Sequence, residues 1–200
     1  MITHLVGLSL GPNSSVESGV AVRELQSGNF IYIDKLFSMS DVELFFNNYT
    51  NLQNSIICVS LPWDNTMLEG KWRVLSKPYQ LIHEHGNFPN KDNWMQRFAN
   101  RGSELLLNLK EEGAEIYRYE IYQARQRLNL YSNYKEHSSA DCKFLQSALK
   151  NDWGFDELPS NMMPAGQLEA IVGTIIAEKK TKSETTKIFE FKGLDVINPV

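Results

Sequence analysis

Apolar positions fall along this chain in two rhythms. Residues 4–10 (HLVGLSL) form a short apolar run ended by Gly11-Pro12-Asn13, which predicts a strand and then a turn. Residues 18–25 (SGVAVREL) and 29–36 (NFIYIDKL) predict two more strands, joined by a hairpin-type link at Ser27-Gly28. Ser40 followed by the acidic Asp41 predicts a helix start, because a serine oxygen can accept an orphan backbone N–H. Residues 55–61 (SIICVSL) are apolar on both alternating faces and stop at Pro62, the pattern of a central strand buried from both sides.

The rhythm changes in the second half. Residues 62–91 hold Trp63, Trp72, Pro78, Pro89, Gly70 and Gly86 without a period, and predict a long irregular insertion. Residues 92–112 place Trp94, Phe98, Leu105, Leu106 and Leu109 at helical spacing, with Gly113 as the stop. Residues 115–121 (EIYRYEI) alternate as a strand does. Residues 139–150 predict a helix capped by Ser138 or Ser139. Pro164 opens a stronger helix over 164–180, whose Leu168, Ile171, Val172, Ile175 and Ile176 make one apolar stripe. Residues 187–191 and 194–197 close the chain as short extended pieces. The order is that of a mixed α/β sheet covered by helices, in one domain spanning 1–200.

Composition narrows the class. Of the 200 residues, 42% are apolar and 22% charged, which suits a globular core and excludes collagen-like and disordered chains. A net charge of −4 means that any binding to nucleic acid must come from a local patch. No stretch approaches a membrane span, and the first residues lack the basic start and apolar run of a leader. A cytoplasmic protein is the expectation. Cys58 and Cys142 read as small core side chains in a reducing compartment.

Longer segments then carry a resemblance. VGLSLG followed by SGVAV (6–11 and 18–22) resembles the opening of ribonuclease H-like nucleases. NRGSELLLNLKEEGAEIYRYEIYQARQRLNL (100–130) resembles a segment of a ribonuclease H-like predicted-nuclease family, the domain of unknown function 429. There a helix starting near an Arg-Gly pair leads into a strand ending in Glu-x-Tyr-Pro. Arg101-Gly102 and Glu120-Ile121-Tyr122 match it, with Gln123 where the family tends to have Pro. QLEAIVGTIIA (167–177) resembles the family's Glu-Leu-Asp-Ala helix, and GLDVINP (193–199) its terminal piece.

The resemblance implies a five-stranded ribonuclease H-like mixed sheet with helices on both faces, and hydrolysis of phosphodiesters in nucleic acid with Mg or Mn. It also implies a departure. The acids expected on strand one and on the central strand fall on Ser9 and Ser60, while Glu120 is retained and Glu169 stands for the helix Asp. Carboxylates gather a hard dication and neutral hydroxyls do so poorly. Glu120 and Glu169, with Asp64 as a further ligand, could hold one ion. The acid set is therefore degenerate, and activity is expected to be impaired.

Each candidate also has a plainer reading. Glu120 on an alternating strand can be an Arg-paired carboxylate, Glu169 a rim ion pair, and Ser9 and Ser60 hydroxyls satisfied by backbone. His83-Glu84-His85 lacks a third ligand at zinc spacing and reads as loop histidines. Tyr122 with Arg118, Arg125 and Arg127 offers stacking and phosphate contacts for single-stranded nucleic acid, or else strand and helix packing. A protein partner or a homo-oligomer, reached through exposed aromatics, is the remaining expectation.

Overall fold

The computed structural model describes residues 1–11, 17–60, 91–191 and 193–200, the side chains of 91–100, Phe189 and Phe191 apart. Asp64, His83-Glu84-His85, Trp63 and Trp72 lie outside the described residues. So does most of the expected insertion.

Strands β1 (His4–Ser9), β2 (Ser18–Glu24) and β3 (Phe30–Leu36) come first. Helix α1 (Met39–Asn48) and a single 3-10 turn (Leu52–Asn54) lead to β4 (Ser55–Ser60). Then come α2 (Lys91–Glu111), β5 (Glu115–Tyr119), α3 (Ile121–Arg127), α4 (Ser139–Asn151) and α5 (Ala165–Thr181). Strands β6 (Thr185–Phe191) and β7 (Leu194–Pro199) end the chain. One sheet runs β3-β2-β1-β4-β5-β7-β6. β1, β4, β5 and β7 are mutually parallel, and the hairpins β1–β2–β3 and β6–β7 are antiparallel.

The mixed α/β class stands, with helices on both faces. The expected count of five strands does not, because the two C-terminal pieces pair with each other and join β5 through β7. Pairing of that kind supplies the backbone partners that short extended segments otherwise lack.

Alternation along the strands sorts the side chains. Leu5, Ile56, Cys58 and Tyr119 face α3, α4 and α5. Val6, Leu8, Ile57, Val59 and Ile116 face α1 and α2, against Val42, Phe46, Leu105, Leu106 and Leu109. Ser9 and Ser60 share the parity of the first set, so both point to the α5 side.

α5 is buried from Leu168 to Ala177 without a break, beyond the expected stripe. It crosses β1 and β2 at a distance only glycine allows. A Cβ placed on Gly7 would stand 1.7 Å from the Ala170 carbonyl oxygen, and one on Gly173 2.8 Å from the Gly7 Cα. Close backbone approach brings the first turns of α5 to the end of β1.

Two local readings change. The cap of α1 is Ser38 rather than Ser40, because Ser38 and Asp41 form a reciprocal capping box. The strand read over 115–121 stops at Tyr119, and Glu120 becomes the cap of α3. No helix among the described residues is long and apolar enough to cross a membrane.

Candidate functional site at the end of the parallel strands

Ser9 and Ser60 end β1 and β4 and are register partners across the two parallel strands. The Leu10 N–H donates to the Ser60 carbonyl at 3.2 Å, so pairing continues one step past the strands. Glu169, in the second turn of α5, lies over this end. Ser9 Oγ donates to Glu169 Oε2 at 2.7 Å. His137 Nε2 meets the other oxygen, Oε1, at 2.7 Å. The Tyr119 hydroxyl donates to the Glu169 carbonyl at 2.7 Å. Ser9 is thereby joined directly to Glu169, and Ser60 stands beside it as its register partner.

Glu120 does different work. Its carboxylate accepts the backbone N–H groups of Tyr122 at 3.0 Å and Gln123 at 2.7 Å, capping α3. A carboxylate at a helix start gains from both the orphan donors and the dipole.

His137, which sequence reasoning missed, is delivered by the segment between α3 and α4. Arg125 binds Asp141 through two N–H···O contacts, 3.1 and 2.6 Å, with both side chains almost wholly buried. Asp141 also accepts the Ser132 hydroxyl at 2.7 Å and the His137 backbone N–H at 3.2 Å. His137 has φ 58°, a left-handed conformation uncommon for a residue with a Cβ. The only available sequence cue was Ser138 with Asp141 three residues on, a helix-start signature that fixes the neighbouring backbone but says nothing of residue 169.

The expected Arg–Tyr surface is not built as a surface. Arg118 is wholly buried on the α2 side of β5, where Nη1 donates to Ser103 Oγ at 3.3 Å. Arg125 is committed to Asp141. Tyr122 is 8% exposed, and its hydroxyl donates to Glu136 at 2.5 Å. Arg127 is exposed, though one N–H donates to the Pro199 carbonyl at 2.8 Å. Strand parity explains Arg118: it follows Ile116 onto the covered face.

The chain matches no protein-family model, no curated protein and no solved structure.

Among the described residues the donor set does not suit a pair of magnesium or manganese ions. Ser9 and Ser60 bring neutral hydroxyls where the resemblance expects carboxylates. The oxygens of Glu169 are taken by Ser9 and His137, and those of Glu120 by two backbone N–H groups. Among the described residues no three His, Cys, Asp or Glu side chains gather as ligands.

Electrostatics keep the remaining acid ionised. Burial alone would raise the Glu169 pKa, but His137, Ser9 and Arg125 together outweigh it and hold the carboxyl below its ordinary value. Asp141 follows the same pattern: burial pushes it up, and Arg125, Ser132 and the His137 N–H bring it below its ordinary value. Groups whose folded pKa is depressed contribute stability above the unfolded pKa and lose it as pH falls through the folded one. The melting temperature is therefore expected to hold near neutrality and to fall once pH drops through and below the carboxylate range. Glu169→Gln should flatten that acid limb while leaving a slope due to Asp141. A set of thermal melts between about pH 6 and pH 3 checks this; an unchanged slope in the variant would rule it out.

Proposed function

We propose that this chain is a ribonuclease H-like nuclease-family domain in which metal-dependent hydrolysis of nucleic acid is impaired by a degenerate acid set. The observation that carries the reading is the Ser9–Glu169 bond at one end of the parallel strands, with Ser9 and its register partner Ser60 bringing hydroxyls where the resemblance expects acids. The β-β-β-α-β-α-β order of the first five strands, antiparallel and then parallel, supports the fold half of the proposal. Of the acids, Glu169 is the one held at this end, and Glu120 serves the start of α3.

The test is a cleavage assay on single- and double-stranded DNA and RNA, with magnesium or manganese supplied in excess. The expected result is no turnover above that of Glu169→Gln under the same conditions. Metal-dependent cleavage by the unaltered chain, lost in Glu120→Gln, would overturn the proposal.

A second reading, a protein-interaction module on the same fold, is favoured by one surface. Edge strand β3 and helix α1 border a groove of about 480 Å³ lined by Tyr32, Leu36, Phe37, Leu44, Phe45 and Tyr49. Phe37 and Leu44 are more than half exposed there. Large exposed apolar side chains gathered beside the edge strand of a sheet, as β3 is among the described residues, are a feature of partner-binding surfaces. Light scattering on the same preparation separates the readings: a dimer dispersed by Leu44→Asp favours this one, and an inert monomer removes its homo-oligomer form.

A further inference from the structure

We propose that His137 takes the place of a cation at the end of the parallel strands, closing the outer oxygen of Glu169 against metal ions. The inference rests on the reading of this end as a degenerate cation site and assigns the residue that fills it.

Glu169 is a carboxylate held almost out of solvent, its side chain 9% exposed. Buried carboxylates need a counter-charge or a full set of donors. Here the inner oxygen has the Ser9 hydroxyl, and the outer oxygen has the His137 ring. The imidazole is itself 48% exposed, so it stands between the carboxylate and water. Among the described residues, the His137 ring is the side chain bonded to the outer oxygen.

The backbone supports a placed role rather than a chance contact. His137 sits in the left-handed region, and its N–H is tied to Asp141, itself fixed by Arg125 and Ser132. A side chain held in a costly conformation by buried partners is over-determined by its surroundings. Opposite it are the Ser9 hydroxyl and, on the neighbouring strand, its register partner Ser60. These are neutral oxygen donors, so removing the ring leaves an all-oxygen set with one negative charge, weak for a hard divalent ion until a second carboxylate joins it.

The experiment compares manganese binding by calorimetry in four folded full-length chains: unaltered, His137→Ala, Ser9→Asp and Ser9→Asp/His137→Ala. The second carboxylate in the last two brings the charge a dication needs beside Glu169. Expected is binding at least about tenfold tighter in the double variant than in Ser9→Asp alone. In His137→Ala, manganese should raise the melting temperature more than it does in the unaltered chain. Equal affinity in Ser9→Asp and the double variant would show that His137 guards nothing. A folded double variant that binds no better than the unaltered chain would show that no cation site lies beneath it. If the double variant fails to fold, the melting shift of His137→Ala decides, and its absence overturns the proposal. Cleavage by the unaltered chain would sink the underlying reading instead, and that is a separate measurement.

Discussion

Replacing Arg125 by Ala is expected to lower folding stability by about 3–5 kcal/mol, the usual cost of leaving one partner of a buried ion pair alone. The Arg125 and Asp141 side chains are each only 4% exposed, so water cannot repair the loss. Arg125 also holds the Leu130 carbonyl through Nε at 3.1 Å, and that bond goes too. Denaturant unfolding of Arg125→Ala and of Arg125→Met/Asp141→Leu measures the effect. The double variant removes the stranded charge and should recover part of the loss. It should not recover all of it, because Asp141 also accepts from Ser132 and from the His137 backbone. Each buried donor left unsatisfied costs about 1–3 kcal/mol. A single variant within about 1 kcal/mol of the parent would mean that this ion pair does not hold the segment together.

The same ion pair shows where sequence reading succeeds and where it stops. Periodicity found α5, because a continuous apolar helix must be buried wherever it packs. It found β1 and β4 for the same reason. The resemblance, rather than periodicity, singled out Ser9 on strand one and Ser60 on the central strand, and the two are register partners across β1 and β4. Sequence reading left Arg125 and Arg118 open between a nucleic-acid surface and packing, since a cationic side chain looks alike whether it faces solvent or a buried partner. Arg118 was decidable in part: Ile116 and Arg118 share a strand face, and that face is covered by α2.

Glu120 was lost to a different ambiguity. The run EIYRYEI alternates up to Ile121, so nothing in its pattern marks the end of the strand at Tyr119. The cap is made by N–H groups two and three residues later, and it exists only once α3 has formed. His137 and Glu169 are 32 residues apart, with a helix and a loop between them, and no period connects them. The terminal hairpin was seen as extended chain, but its place beside β5 rests on a narrow pairing of Arg118 with Val196. Long-range pairing of that kind is set by tertiary packing.

Substituting Gly7 by Ala should be among the most damaging single-methyl changes in the sheet. The new Cβ would fall 1.7 Å from the Ala170 carbonyl oxygen, 2.7 Å from its carbon and 2.9 Å from the Thr174 nitrogen. All three are helix backbone atoms, so no rotamer change relieves the contact. Either β1 or α5 must move, and both are central: α5 packs on β1, β2 and β4 together. Overpacking of this kind costs about 1–3 kcal/mol and sometimes more; with backbone on both sides, the upper end is expected. For a chain of this size that lowers the melting temperature by about 6–12 °C. The displacement also has a local consequence. Ala170 is the neighbour of Glu169, so moving it away from β1 lengthens the 2.7 Å bond from Ser9. Glu169 then loses an inner donor while staying buried, which removes one of the interactions that keep its carboxyl low. Gly7→Ala should therefore shift the onset of acid unfolding toward higher pH as well as lowering stability at neutrality. Gly28→Ala is the control: no atom lies within 4 Å of its new methyl, and its φ of 76° adds only local turn strain. If Gly7→Ala melts within about 2 °C of the parent, α5 does not ride on β1 as closely as this packing requires.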